Sequence, residues 1–271
     1  MLQTVQRAAH LLRLFTPEQP EWGVTEVAGT LGIPKSGAHL LLSTLAAEGL
    51  LQRAPGGRYR LGWSLFELSQ TKLETTDFLL IARRMMEQLV AGWGETAHLA
   101  VLVDGQVLYV EKLQGDRAFE IVLSRVGKRL PAHCSGVGKV LLAHRPWAEV
   151  LAIVEHQGLP ALTPNTITAI DRLRAELDEV RRQGYAFDQE EVMVGLCCAA
   201  APIRDESGEV VAAMSLSVPA YRFYPYRERL TTAIVEAARR VSTQLGYEGK
   251  ETRWHHRSKS PSSARATSGR T

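Results

Sequence analysis

The residues with the most evident chemistry lie in two short runs, and the first is Lys35-Ser36-Gly37-Ala38-His39. A Ser hydroxyl and the free amides of a helix N-terminus suit a phosphate, Lys suits a phosphate or a guanine, and His can donate to either. The alternative interpretation is structural, with Ser36 as a helix N-cap and Lys35 as a solvated surface charge. The run therefore predicts a nucleic-acid contact only in combination with the elements around it.

The second run is His-Cys-Ser-Gly-Val-Gly-Lys at residues 133–139, where small residues precede a predicted helix whose free amides attract an anion. The run lacks the first Gly of a phosphate-binding loop, and Val140 occupies the position of the Mg²⁺-binding Ser or Thr, which excludes nucleotide hydrolysis. Cys134 and His133 do not form a catalytic pair, because adjacent side chains on an ordered element point apart and no third orienting residue is evident. We therefore predict no catalytic residues and no enzyme activity.

A metal site is a further alternative, built from Cys134, Cys198 and Asp188 with His98 or His133. These side chains suit Zn²⁺, but their spacing matches no recognised zinc motif. We therefore predict no metal ligands and no cofactor, and a metal-responsive protein stays an alternative function.

The first run lies within residues 24–51, whose pattern predicts two short helices separated by Gly32-Ile33-Pro34. Pro cannot continue the first helix but is tolerated at the start of the next, and Thr25 is the predicted N-cap of the first. A hairpin follows at 51–61, where a Pro-Gly-Gly turn separates two arms that carry Arg53, Arg58 and Arg60. A helix-turn-helix followed by a basic hairpin is a winged helix, whose second helix enters the DNA major groove while the wing holds the backbone.

Composition and charge agree with a DNA-binding end joined to a separate body. The 271 residues are 45% hydrophobic and 23% charged, and no apolar run approaches the length of a membrane span. The N-terminus lacks the apolar core of a signal peptide, and the odd number of cysteines implies no disulfide framework, so we expect a reducing cytoplasm. Residues 1–62 carry a net charge of +2, residues 63–249 carry −4 and residues 250–271 carry +5.

Beyond the wing, the hydrophobic periodicity predicts an α+β domain with a mostly antiparallel sheet. The predicted strands cover 96–103, 106–112, 119–123, 185–188, 197–204 and 209–218. The predicted helices in this part cover about 135–144, 146–156, 168–183 and 225–245. We therefore divide the chain into a winged helix-turn-helix domain (1–62), a linker helix (63–74), an α+β domain (75–249) and a disordered basic tail (250–271).

Three segments, in this order, resemble the IclR family of bacterial transcription regulators, and the resemblance covers residues 1–249. The first is GIPKSGAHLLLSTLAAEGLL followed by GRYRLG, and the second is LPAHCSGVGKVLLA at 130–143. The third comprises DQEE at 188–191, GLCCAAAPI at 195–203 and residues 208–217. The resemblance implies a winged helix, a linker helix and a GAF-like α/β effector domain. It also implies homodimers, often paired into dimers of dimers, on palindromic double-stranded DNA operators.

The resemblance also implies the residues of an effector pocket. The backbone of Gly136 and Val137 would meet a ligand carboxylate, and the same pocket would be lined by Asp188, Cys198, Ser215 and Ser217. Ser215 and Ser217 alternate along a strand, so both face one side of the sheet. Without the resemblance, the preferred interpretation of Asp188 is a helix cap or surface ion pair, and that of Cys198 is a small core residue.

The recognition helix departs from the family pattern at two positions. Gly37 stands where Thr is usual, and Leu40 stands where Arg is usual, so two DNA contacts are removed. We therefore expect Lys35, Ser36 and His39 to share DNA binding with the arginines of the wing.

These observations predict a ligand-responsive DNA-binding regulator of a catabolic operon, with repression favoured over activation. Its effector would be a small organic acid or an aromatic compound. The alternatives are a metal-responsive regulator and a constitutive DNA-binding dimer that takes no small-molecule ligand.

Overall fold

A computed structural model describes residues 2–118 and 124–249 of the chain. The predicted strand at 119–123 and the predicted basic tail at 250–271 lie outside these residues. The chain divides into two compact units, Met1–Arg84 and Met85–Thr271. Within the described residues, no helix has both the length and the apolar character that crossing a membrane requires.

The N-terminal unit is a winged helix. In chain order it contains α1 (Gln3–Leu14), β1 (Trp22–Gly23), α2 (Val24–Leu31), α3 (Lys35–Ala47), β2 (Leu51–Ala54), β3 (Arg58–Leu61) and α4 (Ser64–Glu74). The three short strands form an antiparallel sheet in the order β1-β3-β2. The predicted helix-turn-helix and hairpin are therefore present.

The apolar spacing of the two central helices explains how this unit holds together. Val27 and Ala28 of α2 and Leu42 and Leu45 of α3 are buried in one core. Gly32 ends α2 in the left-handed conformation, with φ of 61°, which glycine adopts without the steric cost that a Cβ brings. The turn thereby aims α3 across α2 and leaves the opposite face of α3 in solvent.

The second part of the chain is an α+β fold around one sheet. Its elements are α5 (Asp77–Trp93), β4 (Thr96–Val103), β5 (Gln106–Gln114), β6 (Arg129–Pro131), α6 (Gly136–Ala143), α7 (Trp147–Gln157), α8 (Ile170–Gln183), β7 (Ala186–Gln189), β8 (Leu196–Arg204), β9 (Val210–Pro219) and α9 (Ala220–Gln244). The described strands have the order β6-β5-β4-β9-β8-β7, and every neighbouring pair among them is antiparallel. The predicted fold class is confirmed.

Helices cover both faces of this sheet, which explains why its central strands are apolar on both sides. The core on one face combines strand residues such as Ala200 and Ala213 with buried residues of α6 and α8. On the other face, the Phe223 ring of α9 meets the Phe187 ring of β7 edge-on at a centroid distance of 5.5 Å. Successive residues of one strand therefore belong to different cores.

Two predicted boundaries are wrong. Helix α9 begins at Ala220 rather than at Pro225, which lies inside the helix and removes one backbone donor there. Helix α2 begins at Val24, so Thr25 is not its N-cap. Instead, the Glu26 carboxylate accepts a hydrogen bond of 2.8 Å from the Gly23 N–H. This local hydrogen bond satisfies a free amide at the helix start, as a capping hydroxyl would do.

Candidate functional site

The exposed face of α3 carries the residues predicted to contact DNA. Lys35 is the first residue of the helix, and Lys35, Ser36, Gly37 and His39 are all exposed, whereas Ala38 is fully buried. The N-cap position is occupied by Pro34, so Ser36 does not cap the helix and its hydroxyl is presented in the first turn. This arrangement offers hydrogen-bond donors and one cation to a groove or a phosphate.

The two departures on this helix have different structural consequences. A Cβ placed on Gly37 would meet no atom within 4 Å, so no packing constraint requires glycine there. Leu40 is 67% exposed, so an apolar side chain occupies part of the solvent-facing surface of α3. The exposed surface of α3 is therefore less polar at Leu40 than in the first turn, which begins at Lys35.

The three arginines of the wing are not equivalent. Arg53 and Arg60 are exposed on β2 and β3. Arg58 instead donates from Nη2 to Glu26 Oε2 and to the Glu21 carbonyl, each at 2.8 Å. The Glu26 pKa is lowered, first by the hydrogen bond from the Gly23 N–H and then by the bond from Arg58. Arg58 thus connects the wing to the start of α2, and much of its charge is neutralised locally.

The predicted effector residues come together on the buried α6 face of the large sheet. Strand pairing sets Asp188 opposite Cys198, Cys198 opposite Ser217, and Ser217 opposite Thr96. These side chains therefore form one polar row across β7, β8, β9 and β4. Ser215 belongs to the adjacent row, opposite His98.

This polar row lies beside a cavity of about 20 Å³, which is the room that one or two water molecules need. Five of the six predicted effector residues line it, namely Val137, Asp188, Cys198, Ser215 and Ser217. The remaining wall combines polar and apolar side chains, from His98, Tyr109, Ser124, Leu130, Ser135, Val192 and Leu196. Several polar groups therefore converge on this small space among apolar side chains.

Gly136 does not line the cavity, but its position explains how closely α6 approaches the sheet. A Cβ on Gly136 would lie 2.9 Å from the Cys198 sulfur, so only glycine fits without a shift. Ser135 caps the helix by accepting a 3.1 Å hydrogen bond from the Gly138 N–H. The start of α6 is therefore held against β8.

His98, Tyr109 and Ser124 were not predicted as effector residues. The His98 Nε2 lies 2.7 Å from the Ser124 hydroxyl, and its Nδ1 lies 3.3 Å from the Ser217 hydroxyl. Burial, assisted by the charge of Lys112, lowers the pKa of His98 to about 3, so the imidazole is neutral at physiological pH. The polar alternation of Thr96 and His98 within an apolar strand was the available indication, whereas nothing in the sequence pointed to Ser124.

Asp188 is the acidic residue of the cavity wall, and it is 4% exposed. Its Oδ1 accepts a 2.7 Å hydrogen bond from the Glu191 N–H. Burial raises the pKa of Asp188 to about 7, because desolvation and the nearby Glu191 charge outweigh the backbone hydrogen bonds and Lys139. The carboxyl group can therefore exist in either protonation state near neutral pH.

Behind the cavity, a buried cation holds α6 to the segment after β7. Lys139 is 1% exposed, and its Nζ donates to Glu191 at 2.5 Å and to Glu176 of α8 at 2.8 Å. Burial alone would lower the pKa of Lys139, but the two glutamates more than offset this effect and keep the ammonium charged. Because the backbone N–H of Glu191 also donates to Asp188, the Lys139–Glu191 ion pair helps to position the Asp188 carboxyl group.

The geometry disfavours the catalytic and metal-binding alternatives. Burial raises the pKa of the Cys134 thiol to about 12, and its sulfur donates to the Pro131 carbonyl. The His133 Nε2 lies 3.1 Å from the Pro160 carbonyl, so this ring does not activate the thiol. In the part of the chain that the structure describes, no three His, Cys, Asp or Glu side chains are grouped as a metal site requires.

Comparisons with known proteins agree with this architecture. The family described as "IclR helix-turn-helix domain" matches residues 4–55, and "Bacterial transcriptional regulator IclR C-terminal" matches residues 70–243. The chain is 35% identical over 253 residues to the HTH-type transcriptional regulator XynR of Escherichia coli, covering 91% of this chain and 98% of XynR. It is 32% identical over 246 residues to the HTH-type transcriptional repressor AllR of Klebsiella pneumoniae, covering 90% of each protein.

Among solved structures, an IclR homolog of Microbacterium hydrocarbonoxydans, complexed with 4-hydroxybenzoate, superimposes with a TM-score of 0.79. The two sequences are 30% identical, and the alignment covers 89% of this chain and 98% of that structure. These relatives are transcriptional regulators rather than enzymes, which confirms the predicted absence of an enzyme activity.

Proposed function

The chain belongs to the IclR family of DNA-binding transcriptional regulators, and from this premise we propose that it is a repressor whose operator binding is controlled by a small organic acid. The effector would bind at the cavity between α6 and the polar row Asp188–Cys198–Ser217. An aromatic acid is within the same class, since the Microbacterium relative is complexed with 4-hydroxybenzoate. Repression is favoured because AllR, a relative of similar length, is a repressor.

The observation that carries the sensing function is the polar row, together with Ser215 and His98 beside it, inside an otherwise apolar core. Burying Ser215, Ser217, His98 and Asp188 on one sheet face costs free energy that leucine or valine would not cost. Such a cost is typical of a site kept for a ligand rather than for stability. A domain that served only for dimerisation has no need of this row.

The DNA-binding part of the proposal uses the exposed start of α3 and the wing. We propose that homodimers, which can pair into dimers of dimers, present two copies of α3 to the half-sites of a palindromic operator. Two recognition helices would then enter successive major grooves about one helical turn apart. Lys35, Ser36 and His39 would contact the groove, while Arg53 and Arg60 would contact phosphates.

Wing variants separate the proposed phosphate contacts from the internal ion pair. We expect Arg53→Ala and Arg60→Ala each to weaken operator binding and to reduce the salt dependence of log K by about one unit per contact, because each removes a cation that releases a counterion. Arg58→Ala should mainly lower the melting temperature of the N-terminal unit, because it frees Glu26. Fluorescence anisotropy against salt, with a melting curve for each variant, measures both effects. Equal salt slopes for all three variants would refute the distinction.

The effector site is tested by screening small carboxylic acids for thermal stabilisation and for release of the operator. We expect at least one acid to do both with the wild-type protein, because an effector that distinguishes two states must shift their balance. The double change Asp188→Ala with Ser215→Ala should abolish the thermal shift while operator binding persists. Asp205→Ala with Ser207→Ala makes the same chemical change at an exposed turn and should leave the response intact. A constitutive DNA-binding dimer would respond to no acid, and a metal-responsive protein would respond to Zn²⁺ alone.

A further inference from the structure

The charge of the cavity presents a difficulty for an acidic effector. Among the lining residues that the structure describes, none is Lys or Arg, and His98 is neutral. Lys139 is nearby, but its ammonium is already bound by Glu176 and Glu191. Lys112 stands across from His98 on β5 and does not line the cavity. An anion placed beside an ionised Asp188 would therefore meet a second negative charge without a cation in the wall to offset it.

The surroundings of Asp188 favour the loss of that charge. Three neutral side chains surround Asp188, and they are the Cys198 thiol of β8, the Cys134 thiol of the turn before α6 and the Tyr109 hydroxyl of β5. The charged pair Lys139–Glu191 approaches it from α6 and from the segment after β7. Burial raises the pKa values of the Cys198, Cys134 and Tyr109 side chains, so all three are neutral at neutral pH and none is a cation that could offset the Asp188 carboxylate. The only cation in this group already has two acidic partners.

We propose that Asp188 binds the effector as a neutral carboxylic acid, donating its O–H to a carboxylate of the ligand. This inference rests on the proposed function and adds the chemical role of one residue to it. The ligand enters as an anion, and one proton from solvent is held on the Asp188 carboxyl in the complex. No covalent bond of the ligand changes, and the cavity of the complex holds one negative charge instead of two.

Two features support a short hydrogen bond at this position. The Glu191 N–H donates to Asp188 Oδ1, and the Val192 backbone amide also bonds this carboxyl group, so the segment after β7 anchors it at the cavity wall. A Cβ on Gly136 would lie only 3.4 Å from the Asp188 backbone nitrogen, so the start of α6 approaches the same strand. One carboxylate can then accept from the amide of Val137, which lines the cavity, and from Asp188 together.

Proton uptake also specifies what the site rejects. An amide or alcohol of the same shape offers a weaker acceptor, and an ammonium group offers none. Binding of a carboxylate should become tenfold weaker for each pH unit above about 7, because Asp188 must then regain its proton. A cationic or neutral ligand would show no such loss.

The test is infrared difference spectroscopy of the full-length protein labelled with ¹³C-aspartate, with acetate as the probe. We expect a protonated-carboxyl band at pH 6 that is missing from Asp188→Asn and present in Asp205→Asn, because the pKa of Asp205 is lowered and its carboxyl is ionised there. The band should disappear as the pH is raised through about 7, and saturating acetate should move that midpoint upward. The neutral analogue acetamide should leave the midpoint in place.

Two results of this infrared experiment would overturn the proposal. An ionised Asp188 at pH 6 would contradict the neutral donor, and a midpoint that acetate lowers or leaves unchanged would contradict proton uptake. The proposed function fails separately, when no acid in the thermal-shift screen stabilises the protein or releases operator. An acid that releases operator without shifting the titration midpoint of Asp188 would contradict the protonated carboxyl but leave the proposed function intact.

Discussion

Replacing Lys139 by Met is expected to lower the free energy of unfolding by about 3–5 kcal/mol, since removing one partner leaves buried charges without compensation. Glu191 is 5% exposed, and one of its carboxylate oxygens already has no hydrogen-bond partner among the described residues. Methionine retains the shape of the lysine stem, so the loss reports charge rather than a cavity. Urea unfolding at pH 7 measures the effect.

Two further variants serve as controls for the charge effect of Lys139→Met. Arg182→Met removes a surface ion pair with Glu179 and should leave stability almost unchanged, because exposed pairs contribute little. The double variant Lys139→Met with Glu191→Gln should recover much of the lost stability, because a neutral amide replaces the stranded carboxylate. If Lys139→Met is as stable as wild type, the buried ion pair contributes nothing to stability.

Replacing Asp188 by Asn is expected to stabilise the protein at alkaline pH. The pKa of Asp188 is raised from 3.8 to about 7, so between these values the folded chain holds a proton that the unfolded chain releases. The contribution of Asp188 to stability is therefore fully present below pH 4 and is lost as the pH rises through 7. At about 1.4 kcal/mol per pKa unit, the cost above pH 7 amounts to roughly 4 kcal/mol, which Asn avoids.

The measurement is urea unfolding of wild type and Asp188→Asn from pH 4 to pH 8.5. The two curves should lie closest near pH 4, diverge as the pH rises to about 7, and stay separated by roughly 4 kcal/mol above it. Asparagine can still accept the Glu191 N–H, so that hydrogen bond is retained. Asp205→Asn is the control, and it should not gain stability at high pH because the pKa of Asp205 is lowered. Parallel curves for wild type and Asp188→Asn would contradict the raised pKa.

The N-terminal unit is largely predictable from sequence because its determinants are local. Helical spacing identifies Val27, Leu42 and Leu45 as core, and Gly32 with Pro34 marks the turn. Local patterns do not reveal that Arg58 reaches back to Glu26, since 32 residues separate them. A basic residue on a wing therefore resembles a DNA contact until its acidic partner is located.

The effector domain shows where sequence reasoning ends. The strands were predictable from their alternation, but the pairing of β4 with β9 joins residues more than a hundred positions apart. Only that pairing brings His98 beside Ser215 and Ser217. The family resemblance therefore predicts the serines as effector residues, whereas His98 is named only as a possible metal ligand. The strand at Arg129–Pro131 was missed because three residues are too short for a periodic pattern.

The small size of the cavity has a consequence for the sensitivity of the regulator. At about 20 Å³, it must widen before it can take even a short acid, so every effector gives up the free energy of opening from its affinity. That free energy depends on how firmly α6 is held to the sheet, and Lys139 is one of the residues that hold it. The concentration at which the switch responds can therefore be tuned by residues that never touch the effector, without altering which molecule is recognised.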